Sequence, residues 1–291
     1  MSYSLAGPRR KKPGKPWRRW VTVCIVGICN YQRTIVSVSD MMLSLGDAAA
    51  DRLVRKVDPL CTGWFVMYST DNIDRVEPIL RSVQTRLEGR TDYTVDVLKD
   101  AFASVCQAEV ARERKERVLD QLGWSLETFT SHGRERLGPV EFQRWMRKFR
   151  RISTECDFLV HGFDPEGRPR IFRVDSLGWI PGEATVAGYE AIGSGGASAT
   201  NSLMYHGYHA GLPEREAVYR IFEAKFFAES EGGVGRATLF TIARSDGRWA
   251  WLVWQQRIDV VRDIVEAGKH PAPELFERVG AFLEGLPWGS R

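Results

Sequence analysis

The sequence predicts an α+β fold in which two β-sheets pack face to face and helix pairs cover both outer faces, a four-layer αββα sandwich. Two observations carry that prediction. Short runs of β-branched and apolar residues come in pairs separated by turn residues, as hairpins do. Between them lie pairs of segments with apolar residues at helical spacing. The resulting order is strands, two helices, strands, two helices, strands, and closing helices. With 291 residues, 43% of them hydrophobic, the chain can bury a full core. The same composition excludes a disordered, collagen-like or disulfide-stapled chain.

Residues 21–29 form a continuous apolar run and residues 34–39 alternate, with four polar residues between them, which reads as a first hairpin. Residues 53–57 and 63–68 read as a second hairpin turning at Asp58-Pro59. Asp71 or Asn72 caps a helix to about Leu87, which Gly89 ends, and Thr94 caps another. Beyond Val110 the pattern becomes highly charged, and Gly138-Pro139 starts a further basic helix. Strands are expected again at 156–162 and 170–174, with a turn at 164–167, and at 189–192. Helices follow at 197–210 and 213–229, then a hairpin of 238–243 and 249–254, then helices near 260–267 and 273–283.

The net charge of +4 is unevenly spread. Residues 1–19 hold seven basic residues and no acidic one, among Pro8, Pro13 and Pro16, and read as a flexible tail. Residues 111–151 hold eleven basic and six acidic residues. They read as a helical insertion, either a solvated face or a docking surface for a protein partner. The sandwich is assigned to residues 20–257 with that insertion, and residues 258–291 to C-terminal helices. No nucleic-acid-binding pattern accompanies the basic segments, so nucleic acid is not an expected partner. No apolar run reaches the roughly 18 residues of a membrane span. The basic start running into an apolar stretch has the outline of a secretory signal, but the stretch is short and no small-residue cleavage site follows. The five cysteines, Cys24, Cys29, Cys61, Cys106 and Cys156, form no C-x-x-C pair. That argues against a disulfide framework or zinc site and for a cytoplasmic location. No cofactor is expected.

Three sets of residues resemble the proteasome-type branch of the N-terminal-nucleophile (Ntn) hydrolases. Asp40 at the end of the second strand, Lys56 within Val54-Arg55-Lys56-Val57, and Asp74 at a helix start are spaced as an acid–lysine–acid set of that family. The turn Ala191-Ile192-Gly193-Ser194-Gly195-Gly196-Ala197, followed by a helix and Leu212-Pro213-Glu214, is similar to its strand-to-helix turn, with Ser194 at the family serine. Residues 229–235 are similar to a supporting loop in which Glu231 and Gly235 take the acid and glycine positions. Val234 falls where that loop has a serine.

The resemblance implies an amide-bond hydrolase, a threonine- or cysteine-type peptidase or amidohydrolase, whose nucleophile is the first residue of the processed chain. Its α-amine, with a pKa of about 7.7–8.0, would act as the base. Asp40 and Lys56 would tune and orient the nucleophile; a buried structural ion pair would use the same two residues. Family spacing leaves the nucleophile open between Thr22 and Cys24, and one alignment falls on Val23, which cannot react. A valine, not a glycine, precedes both candidates. Ser69-Thr70-Asp71 stands where the family has a small glycine pair at its oxyanion hole. The resemblance also implies a ring-like homo-oligomer and a peptide or amide substrate. The alternative it leaves is a catalytically silent, structural or partner-binding relative.

Overall fold

The computed structural model describes residues 22–45, 48–50, 54–70, 72–252, 255–268 and 273–287. The basic tail, Val21, Leu53, Asp71, Val253 and Trp254 lie outside the described residues.

The chain is a mixed α/β fold with two antiparallel sheets, in line with the expected α+β class. Its strands are β1 Cys24–Cys29, β2 Thr34–Asp40, β3 Leu43–Leu45, β4 Ala48–Ala50, β5 Val57–Cys61, β6 Trp64–Thr70, β7 Cys156–Phe163, β8 Pro169–Val174, β9 Tyr189–Ile192, β10 Thr238–Arg244 and β11 Trp249–Leu252. One sheet runs β11-β10-β2-β1-β9, the other β5-β6-β7-β8, and β3-β4 form a small ribbon. The helices are α1 Val76–Leu87, α2 Val95–Arg114, α3 Asp120–Leu122, α4 Leu126–Arg151, α5 Gly196–Tyr205, α6 Glu214–Ala228, α7 Gln255–Ala267 and α8 Pro273–Glu284. Asn72 caps the short 3-10 turn Ile73–Arg75 that leads into α1, and Thr94 caps α2 through the Val97 N–H.

The two-residue period of the strands divides three hydrophobic clusters. Ile25, Val36, Val38, Phe240 and Ile242 point to one face of the first sheet, where they meet α5, α6, α7 and α8. Cys24, Val26, Ile28 and Ile35 point to its other face and meet Val57, Phe65, Met67, Leu159 and Ile171 of the second sheet. The far side of that second sheet, with Trp64, Val66, Phe158 and Phe172, packs on Val76, Ile79 and Val83 of α1 and Leu98 and Phe102 of α2. Burying each such side chain contributes roughly 1.5–3 kcal/mol. Every residue of β1 and β2 is buried, which explains the unbroken apolar run of β1. The serines that make β2 look half-exposed, Ser37 and Ser39, are in fact buried.

The second hairpin does not turn at Asp58-Pro59. Both residues lie inside β5, and the chain reverses at Thr62-Gly63. Proline is tolerated there because β5 is an edge strand, and the register shifts between Pro59 and Cys61. The helix expected over 197–210 stops at Tyr205, before Gly207 at φ 64°. In the charged segment, α2 runs on through a π-helical turn, and α4 breaks at Gly138 (φ 73°, ψ 161°), where Pro139 starts its second half. This segment is more than a solvated face. Val118, Leu119, Phe129 and Ile152, with Phe142, Trp145 and Phe149 against them, form a small cluster of their own. Arg75 ties it to the body through Glu113 at 3.2 Å. Among the described residues no helix is long and apolar enough to cross a membrane.

Candidate active site

The site grows from the pairing of β1 with β2. Cys24 lies opposite Ser39, and the Asp40 N–H donates to the Val23 carbonyl at 3.1 Å. The residues just before β1 are therefore brought against the end of β2. Asp40 is fully buried and has a full set of donors. Its Oδ1 accepts from the Thr22 hydroxyl at 2.7 Å and from the Val23 N–H at 2.8 Å. Its Oδ2 accepts from Lys56 Nζ at 2.9 Å, from the Met42 N–H at 3.0 Å and, at 3.5 Å, from the Gly235 N–H.

Lys56 reaches this carboxylate from the second sheet. It lies just before β5, where its carbonyl accepts the Tyr68 N–H at 3.3 Å. Its side chain is buried, and Nζ donates both to Asp40 and to Thr22 Oγ1. The Thr22 hydroxyl thus donates to a carboxylate and accepts from an ammonium. In a site closed to water such charge-assisted bonds are the strong ones.

A third element closes on the main chain of Thr22. The Thr22 N–H donates to Ser194 Oγ at 3.2 Å, and Ser194 Oγ donates to the Thr22 carbonyl at 3.3 Å. The Gly195 N–H donates to the same carbonyl at 3.1 Å. This wrap needs glycine at position 193, which turns at φ 93° and where any Cβ would collide with the Thr22 carbonyl.

The structure therefore brings together Thr22, Asp40, Lys56 and Ser194. Cys24 is elsewhere: it lies fully buried between the sheets, and its thiol donates to the Tyr68 carbonyl at 3.4 Å. Burial raises its pKa far above the usual thiol range, which disfavours the thiolate that a cysteine nucleophile needs. Glu231 accepts from the Ser198 hydroxyl of α5 at 2.7 Å. Val234 is buried in the core cluster beneath the helices. Asp74 lies in the 3-10 turn before α1, its N–H donating to the Asn72 side chain at 3.2 Å. Thr70 turns its hydroxyl to the Glu155 carbonyl at 2.8 Å.

One charged residue near the site escaped sequence reasoning. Lys225 of α6 is fully buried, pairs with Glu229, and donates to the carbonyls of Gly235 at 2.9 Å and Arg236 at 3.0 Å. Burial pushes its pKa down to about 8. Its only sequence signal is a lysine with apolar neighbours on both sides, Phe222 to Ala228. Among the described residues no cluster of three histidine, cysteine or acidic side chains is arranged to hold a metal. Comparison with known proteins gives no matching family model and no curated relative.

Proposed function

We propose that this chain is an Ntn-type amide-bond hydrolase, a proteasome-like αββα sandwich whose nucleophile is Thr22. The observation that carries the reading is the Thr22 hydroxyl held between Asp40 Oδ1 and Lys56 Nζ, with its main-chain nitrogen on Ser194. Cleavage after Val21 frees the Thr22 α-amine, whose pKa of about 7.7–8.0 suits a base near neutral pH. Thr22 Oγ1 then attacks the carbonyl carbon of a peptide or amide while the amine takes its proton. The C–N bond breaks, the leaving amine receives that proton, and an ester on Thr22 remains. Water, deprotonated by the same amine, hydrolyses the ester and restores the hydroxyl. The Lys56 ammonium favours the developing alkoxide, and Asp40 holds lysine and threonine in register. A ring-like homo-oligomer belongs to the same proposal, as does a cytoplasmic location, in keeping with five free cysteines.

A second reading is a silent relative that keeps the fold and the ion pair. What favours it is Val21, whose branched side chain crowds the bond that must be cut. Intact mass and N-terminal sequencing of the purified protein, followed by reaction with a β-lactone, decide between the two. The hydrolase gives a chain starting at Thr22 and one acyl group on that residue. A full-length chain that takes up no label sinks the hydrolase reading.

A further inference from the structure

Lys225, on α6, is the second buried lysine beside Asp40, and the hydrolase chemistry above does not use it. A lysine with no exposed surface loses several kcal/mol of hydration unless its protons find acceptors. Here Nζ donates to the Glu229 carboxylate and to two carbonyls, those of Gly235 and Arg236. Its three donors are thereby used. Arg262 of α7 shares the arrangement: it donates twice to Glu229, at 2.8 Å each, and once to the Arg236 carbonyl at 3.3 Å. Lys225, Arg262 and, at 3.8 Å, Arg236 thus meet the one carboxylate of Glu229, and the cations outnumber it. On the other side of Gly235 from Lys225 lies the Asp40 carboxylate, since the Gly235 N–H points at Asp40 Oδ2 at 3.5 Å. Gly235 thus stands between the two charges with successive peptide groups: its carbonyl faces the ammonium, and its N–H, part of the preceding peptide, faces the carboxylate.

We infer that Lys225 is a positioning residue for Asp40, gripping the Gly235 and Arg236 carbonyls so that the Gly235 N–H and the charge of the cluster face the carboxylate. Its meaning for catalysis rests on the reading of Thr22 as nucleophile. Apolar packing alone would hold a loop, and α6 has apolar residues at hand in Phe222 and Phe226; a buried ammonium in their place calls for an electrostatic role. The groups facing Lys225 are Glu229 on its own element, Arg262 from α7 and Asp40 from β2. Burial, and to a lesser degree Arg262, lowers the pKa of Lys225, while Glu229 and Asp40 act to raise it.

The test uses the full chain with Lys225→Met, which keeps the length of the side chain and removes its charge. Lys225→Met/Glu229→Gln, which also removes the counter-charge, serves if the single variant does not fold. Two readouts are taken. The first is the rate of Thr22 acylation by a β-lactone as a function of pH. The expected result is a saturating rate about tenfold lower, the equivalent of one pK unit, with the half-saturating lactone concentration unchanged. The second is the carbon-13 carboxyl signal of Asp40, assigned with Asp40→Asn. Loss of the nearby positive charge and of the hold on the Gly235 loop changes the field at the carboxylate, so its chemical shift moves. An Asp40 signal that is the same in wild type and folded variants overturns the inference, whether or not Thr22 reacts. So does an unaltered acylation rate in an active protein. A moved Asp40 signal in a protein that never reacts with the lactone supports the hold of Lys225 on Asp40 and sinks only the hydrolase reading.

Discussion

The Thr22 hydroxyl donates to Asp40 Oδ1 at 2.7 Å across 18 positions of chain, and the next N–H, that of Val23, donates to the same oxygen at 2.8 Å. One carboxylate oxygen therefore sets both the side chain of Thr22 and the backbone that carries it. The chemistry assigned to the site follows from this double hold, which two experiments examine, while two more examine the packing of the sheets.

Thr22 and Cys24 differ in what they touch, so their substitutions should separate cleanly. Thr22→Ala removes the hydroxyl between Asp40 and Lys56 and is expected to abolish β-lactone labelling. Cys24→Ala removes one buried sulfur, costs about 1 kcal/mol, and leaves labelling in place. Mass spectrometry of the labelled chain reads both. Labelling that survives Thr22→Ala and vanishes with Cys24→Ala moves the nucleophile to Cys24.

Lys56 and Asp40 form a buried ion pair at 2.9 Å. Removing one partner leaves the other charge buried without its counter-ion, a loss of about 3–5 kcal/mol. Lys56→Met should lower stability by that order and suppress labelling. Urea denaturation gives the first quantity. A fall well under 1 kcal/mol shows that the pair is reached by water.

His161 of β7 is buried beside Phe65, with ring centroids 5.7 Å apart, and burial lowers its pKa to about 3. Its folded pKa lies below the 6.5 of the free side chain, so the unfolded chain takes up the proton first. The neutral ring therefore stabilises the fold fully above pH 6.5, and this contribution falls as the pH drops from there towards 3. His161→Leu should remove this part of the acid sensitivity, by about 1.4 kcal/mol per pH unit in that window. Denaturation of both proteins at pH values on either side of 6.5 measures it; parallel profiles refute a buried neutral histidine.

Gly27 of β1 lies under Tyr208 and Ile221, and a Cβ there would run into both side chains. Gly27→Ala forces α6 and the chain after α5 away from the sheet, at a cost of about 1–3 kcal/mol. Thermal denaturation tests this, and a melting temperature equal to that of the wild type shows that Tyr208 gives way freely.

Much of this was legible in the sequence because it is local. Strand runs, helix periods, caps and glycine turns depend on near neighbours, so β1, β2, β7, β8 and α1 fall close to where the pattern puts them. Asp40, Lys56 and Ser194 are picked out by resemblance to the Ntn hydrolases and not by local pattern, and Lys56 falls just before β5, outside the strand expected over 53–57. Pro59 misled because a proline inside a strand is allowed only at a sheet edge, and edges are a property of the whole sheet.

The sequence by itself pointed to the two-sheet α+β architecture, since burial patterns and turn chemistry are written along the chain, and its resemblance to the Ntn hydrolases supplied a short set of candidate side chains. Only the tertiary structure decided that Thr22, and not Cys24, meets Asp40 and Lys56. Both residues precede or begin the same strand, and what separates them is the pairing of β1 with β2 and the approach of Lys56 from the other sheet. The structure also decided that Lys225 is buried against the Gly235 loop. A lysine in a helix looks solvated from sequence, and its surroundings come from α7 and from the loop before β10, far away along the chain. Contacts between distant segments are set by packing, which no local pattern records.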